Sequence, residues 1–111
     1  MNLNILHEKK VDGGELLTIS GELDAYTAPK LKETILPLVD VERASVTLDL
    51  KDTDYMDSTG IGVIIAAYKQ SCKRNGTLVV QNLTPRVSRL FDITGLSEII
   101  TIDDIKKEET T

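Results

Sequence analysis

Aromatic residues are scarce in this chain: three tyrosines, one phenylalanine and no tryptophan among 111 residues. A core must therefore be assembled from leucine, isoleucine and valine, and a surface for single-stranded nucleic acid would lack its stacking platforms. Cysteine is limited to Cys72 and histidine to His7. That excludes an internal disulfide and leaves His7 as the one imidazole partner for Cys72, which argues against a zinc site. Long hydrophobic runs are missing too, since the longest apolar stretch, from Gly60 to Tyr68, is about half of the roughly 20 residues that a membrane span needs. The start, Met1-Asn2-Leu3-Asn4, lacks the basic-then-apolar pattern of a secretory signal. Positive charge is in deficit, with 13 basic against 18 acidic side chains and a net charge of −5, which argues against a phosphate backbone as ligand. A cytoplasmic protein with no direct nucleic-acid or membrane partner is expected.

Hydrophobic residues at 41% and charged residues at 28% are ordinary soluble usage, enough to bury a real core. A chain this short is expected to form one domain over residues 1–111, with a core at about 3–102 and a frayed tail at 106–111.

Leu3 to His7 alternates apolar and polar residues. Asp12-Gly13-Gly14 supplies a turn, and Leu16 to Leu23 resumes the alternation, so a hairpin is predicted. Thr27-Ala28-Pro29 reads as a helix start, with the threonine hydroxyl as cap. Leu31, Ile35 and Leu38 form its buried stripe, and Pro37 is expected to end or kink it near Leu36, with the remainder a last turn or loop. Val46, Leu48 and Leu50 alternate with Thr47, Asp49 and Lys51, the period of a strand whose second face is only partly covered. A polar loop, Asp52 to Asp57, should follow. Next comes a helix with Ile61, Ile64, Ile65, Tyr68 and Cys72 inward, ended by Asn75-Gly76. Leu78 to Val80 is a short strand, and Thr84-Pro85 opens a helix that turns Val87, Leu90 and Phe91 inward and stops at Gly95. Ile99 to Ile102 is a last strand, and Asp103 or Asp104 can cap a C-terminal helix through Ile105. The fold class is therefore α/β: a single mixed, mostly parallel sheet with an N-terminal hairpin and about four α-helices.

In such folds functional residues gather after the carboxyl ends of the parallel strands. Two segments qualify, Gly21-Glu22-Leu23-Asp24 and Tyr55-Met56-Asp57-Ser58-Thr59-Gly60-Ile61-Gly62. The second places hydroxyls, a carboxylate and glycines at a helix N-terminus, which favours an oxygen or an anion. In the plainest reading Ser58 is a helix cap, and Gly60 and Gly62 allow close packing. A dinucleotide site fails because Ile65 occupies the third glycine position and Gln81-Asn82 offers no acidic ribose partner. Serine nucleophile chemistry lacks a base other than His7, which is placed on an edge strand. Asp24, Asp54 and Asp57 could form an acid–base pair, but no deep pocket is implied. Cys72 is expected in the core. There remains Ser58 as a substrate: a serine at a strand-to-helix turn is reachable by another protein's kinase site, and a phosphate there would repel an interface rather than unfold its helix.

Three runs in register, Gly21 to Pro29, Tyr55 to Gly62 and Arg89 to Leu96, resemble the bacterial STAS domains. Within them they resemble the anti-sigma factor antagonists, most of all the anti-sigma-B antagonists of the stress response. The resemblance spans about Asn2 to Ile102. It implies a regulated binding module and not an enzyme. The unphosphorylated form would bind an anti-sigma factor that is also an ATP-dependent serine kinase, freeing a sigma factor for stress-response transcription. Phosphorylation of Ser58 would release that partner, and a PP2C-type phosphatase would restore binding. ATP and metal would belong to these partners, and the chain would need no cofactor or metal of its own. Asp24 carries over as a residue of the kinase-contacting surface, with Asp57, Thr59, Gly60 and Gly62 around the phosphosite. The sporulation branch of the same family, and a constitutive STAS scaffold in a signalling complex, are the alternatives.

Overall fold

β1 (Leu3–Lys9) and β2 (Glu15–Leu23) pair antiparallel in a computed structural model of the protein, which describes residues 2–103. The turn between them needs a left-handed residue, and Gly13 at φ +93° supplies it. His7 on this edge strand hydrogen-bonds Glu15 at 2.7 Å, and Lys9 donates to the other oxygen of the same carboxylate at 2.7 Å. The Lys9 and His7 hydrogen bonds, in that order, hold the Glu15 carboxyl below its ordinary pKa.

From β2 onward strands alternate with helices: α1 (Ala28–Val39), β3 (Ser45–Met56), α2 (Ser58–Lys73), β4 (Thr77–Gln81), α3 (Pro85–Thr94), a 3-10 turn (Leu96–Glu98) and β5 (Thr101–Asp103). The sheet order is β1-β2-β3-β4-β5, parallel everywhere except the first pair. This is the mixed α/β sheet with an N-terminal hairpin that the pattern predicts. Among the described residues it carries three α-helices, not about four. Asp103 is taken into β5, while the helix expected through Ile105 and the tail expected at 106–111 lie outside the described residues.

One face of the sheet carries Leu17 and Ile19 from β2, Val46, Leu48 and Leu50 from β3, and Leu78 and Val80 from β4, all buried. They pack with Leu31, Ile35 and Val39 of α1, Ile61, Ile64 and Ala67 of α2, and Val87 and Phe91 of α3. On the alternate positions Leu16, Thr18, Val79 and Gln81 are only partly covered. At the centre of that second face Thr47 and Asp49 are buried, and Asp49 accepts from Gln81 and Asn82 side chains and from the Lys51 N–H.

Several local expectations give way to tertiary pairing. β3 does not stop at Leu50, and the expected loop at Asp52 to Asp57 is strand as far as Met56. β2 runs beside it to the pair Leu23–Met56, across two register shifts. At the first shift Thr53, fully buried, turns its hydroxyl to the Ile19 carbonyl at 2.9 Å. At Pro37 the expectation holds in one of its two forms: the residues after Leu36 make a last turn, and α1 runs to Val39. The proline lies in the last turn, where the chain is about to leave the helix, and burial of Ile35 and Val39 on either side holds that turn. Cys72 is exposed rather than core. The buried stripe of α2 runs through Gly60, Ile64, Ala67 and Ser71, which leaves Tyr68 and Ile65 at its margin and Cys72 beyond it.

Candidate functional site

The two strand ends that the pattern singles out are adjacent. Leu23 and Met56 are register partners, and the Asp57 N–H donates to the Leu23 carbonyl at 3.2 Å. The chain therefore enters α1 and α2 from neighbouring positions, with an aspartate directly after each strand.

Asp57 is the N-cap of α2, with extended backbone (φ −117°, ψ −172°). Its Oδ1 accepts from the Thr59 N–H at 2.9 Å and the Gly60 N–H at 3.4 Å. Ser58 is therefore not the cap. It is the first residue of the helix, exposed, and among the described residues neither its hydroxyl nor that of Thr59 makes an intramolecular hydrogen bond. Gly60 is buried against the strand ends: a Cβ there would meet Leu23 Cγ at 2.8 Å and Met56 Cγ at 2.9 Å. Gly62, one turn beyond Ser58, is exposed.

The Asp24 junction has a different interior. Asp24 is 8% exposed and Thr27 is 9% exposed. Asp24 Oδ1 accepts from the Tyr26 N–H at 2.9 Å and the Thr27 N–H at 3.1 Å. Thr27 does not cap α1 with its side chain. Its hydroxyl donates to the Glu22 carbonyl at 2.7 Å and accepts from the Asp24 N–H at 2.9 Å.

The structure thus gathers Asp57, Ser58, Thr59, Gly60 and Gly62 on the start of α2, with Asp24 on the neighbouring junction. His7 is elsewhere. It stands opposite Leu17, six residues back from Leu23 along β2, about 20 Å at the rise of a strand. No serine–histidine pair forms. Asp24 and Asp57 are engaged with backbone N–H groups, and of the three carboxylates only Asp24 and the exposed Asp54 line a common groove.

Composition and periodicity did not mark the rest of this surface. A groove of about 430 Å³ is lined by Glu22, Asp24, Asp54, Tyr55 and Arg86. Tyr26 is 86% exposed and Tyr55 is 40% exposed, so half of the chain's aromatic residues face solvent on the segments flanking this site. Their signal in the sequence was position alone: each lies in a strand-to-helix connection or at a strand end. Arg86 reaches the groove because α3 starts at the same end of the sheet as α1 and α2, a fact of topology rather than of spacing.

A family model described as the STAS domain matches residues 7–109. The chain belongs to the STAS domain family. This STAS domain is 44% identical over 102 residues to the anti-sigma-B factor antagonist of Bacillus subtilis, covering 92% of each chain. It is 42% identical over 109 residues to the protein of the same name in Listeria monocytogenes, covering 97% of this chain and 95% of that one. Among solved structures, an anti-sigma factor antagonist from Mycobacterium paratuberculosis superposes with a TM-score of 0.81 at 28% identity, covering 91% of this STAS domain and 85% of that chain. The unphosphorylated form of SpoIIAA superposes with a TM-score of 0.72 at 16% identity over 96% of this chain and 94% of that one, a likeness of fold.

Proposed function

We propose that this protein is an anti-sigma factor antagonist controlled by phosphorylation of Ser58. The observation that carries the reading is the state of that serine: exposed, without a hydrogen-bond partner for its hydroxyl among the described residues, and first in α2 immediately after a capping aspartate. Its hydroxyl has no structural task, so it is available as a substrate. In the unphosphorylated form the surface around it, with Asp24, Asp57, Thr59 and Gly62 and held against the strand ends by the buried Gly60, binds an anti-sigma factor that is itself a serine kinase. Binding releases the sigma factor.

The chemistry belongs to the partner. Ser58 Oγ attacks the terminal phosphoryl of the kinase's ATP, ADP leaves, and the serine proton passes to a base of the kinase. The product carries about −1.5 to −2 further charge at Ser58. Helix α2 accepts this, since an anion at a helix N-terminus is stabilised by about 0.3–1 kcal/mol. The interface does not, because a partner fitted to a neutral hydroxyl would have to desolvate and accommodate a bulky dianion. A 100-fold loss of affinity needs only about 2.7 kcal/mol. A PP2C-type phosphatase removes the group and resets the switch, in the cytoplasm. The sigma-B names of the relatives at 44% and 42% identity support the stress-response branch over the sporulation branch.

The test uses the purified anti-sigma-B factor of Bacillus subtilis. Without ATP the wild-type protein should form a complex by calorimetry. With ATP and magnesium it should gain one phosphoryl group on the peptide bearing Ser58, and the complex should dissolve. Ser58→Ala should bind and stay bound, and Ser58→Asp should fold but not bind. A wild-type protein that forms no complex, or a phosphoryl group mapped to Thr59, would overturn the assignment.

A further inference from the structure

The seven glycines divide into six that backbone angle or close neighbours constrain and one that is under neither constraint. Gly13, Gly21 and Gly95 have positive φ, and Gly14, Gly60 and Gly76 sit where an added Cβ would meet another atom at 3.1 Å or less. Gly62 has neither feature. No atom lies within 4 Å of a Cβ built on it, its φ is not left-handed, and it is exposed at the fifth residue of a 16-residue helix. At such a position alanine makes a more stable helix than glycine, because glycine surrenders more backbone freedom on folding. The fold alone would favour a side chain here.

Its place relative to Ser58 gives the missing reason. Residues four apart lie one above the other on a helix, and every Cα–Cβ bond leans toward the N-terminus. A side chain at Gly62 would therefore project back over Ser58. With glycine there, the exposed start of α2 is low in relief, made of two short hydroxyl side chains and bare backbone.

We infer that Gly62 is a specificity-determining residue of the Ser58 site. Its missing side chain keeps the approach to Ser58 Oγ open and lets the partner lie against the backbone of α2, at the expense of helix stability. This rests on the antagonist reading above and adds to it how close the partner must come. Gly60, by contrast, is a packing residue, buried under the partner surface rather than part of it.

The experiment compares wild type, Gly62→Ala and Gly62→Leu for thermal unfolding, for affinity to the anti-sigma-B factor of Bacillus subtilis, and for the rate of Ser58 phosphorylation by it. Gly62→Ala should raise Tm by about 4 °C. Gly62→Leu should not lower Tm, yet should lose at least tenfold in both affinity and phosphorylation rate, and Gly62→Ala should lose no more than Gly62→Leu. The opposite signs of the two effects separate a docking role from a structural one. A Tm lowered by alanine, or a leucine variant within tenfold of wild type in either binding or phosphorylation, overturns the inference and leaves the antagonist reading standing. A wild-type protein that does not bind overturns both.

Discussion

The two strand-to-helix junctions of this molecule are built from the same parts and finished differently. Each has a buried apolar strand end, Leu23 or Met56, then an aspartate, then hydroxyl residues entering a helix. At the first junction the parts are consumed internally: Asp24 and Thr27 are both buried, and their side chains satisfy backbone groups of Glu22, Asp24, Tyr26 and Thr27. At the second, Asp57 alone caps the helix, and the hydroxyls of Ser58 and Thr59 face solvent without internal partners among the described residues. One junction stabilises the end of the sheet; the other leaves its two hydroxyls exposed, as the proposed phosphorylation of Ser58 requires. A serine is free for chemistry when its neighbour has already satisfied the helix.

Mutations at the two junctions should fall on opposite ends of a stability scale. The largest effect is expected at Thr27→Val, which keeps the shape but leaves the Asp24 N–H and the Glu22 carbonyl without their hydroxyl partner. With about 1–3 kcal/mol for each buried group left unpaired, urea unfolding should show a loss of roughly 3 kcal/mol. Asp57→Ala should cost about 1 kcal/mol, the ordinary value of an N-cap, because α2 is held mainly by its buried face. Ser58→Ala should change stability by less than about 0.5 kcal/mol, as expected of a surface hydroxyl that bonds nothing. The comparison breaks if Ser58→Ala costs as much as Asp57→Ala, for the serine would then share the capping. It sharpens if the three values keep this order while only Ser58→Ala blocks phosphorylation.

Periodicity was enough to reveal five strands and the three described α-helices in order, though not the length of β3, because a half-buried strand and a half-buried helix leave different repeats in a chain. Turn chemistry was legible where backbone sterics leave little choice: Gly13 and Gly95 have positive φ, and Asn75 is left-handed at the end of α2. The choice of cap was not. Asp57 and Ser58 are equally good N-cap residues by type, and so are Asp24 and Thr27 as hydroxyl or carboxylate acceptors. Which one caps α2 depends on where β3 ends, and β3 ends where Met56 meets Leu23 and the Asp57 N–H meets the Leu23 carbonyl. The same pairing turned the polar stretch after Leu50 into strand, with Thr53 and Met56 buried between exposed residues.

The candidate site divides in the same way. The run from Asp57 to Gly62 was readable because aspartate, serine and glycines crowd the start of a helix after a strand, a local arrangement that neighbouring residues specify. The register between β2 and β3, the side of α2 that is buried, and the placing of Arg86 on one groove with Asp24, Asp54 and Tyr55 were decided by the folded sheet. These contacts join residues far apart in the chain, and no local preference encodes them. Local sterics and hydrophobic spacing choose each element, but only the packing of elements against one another determines which polar groups are used up and which are left for a partner.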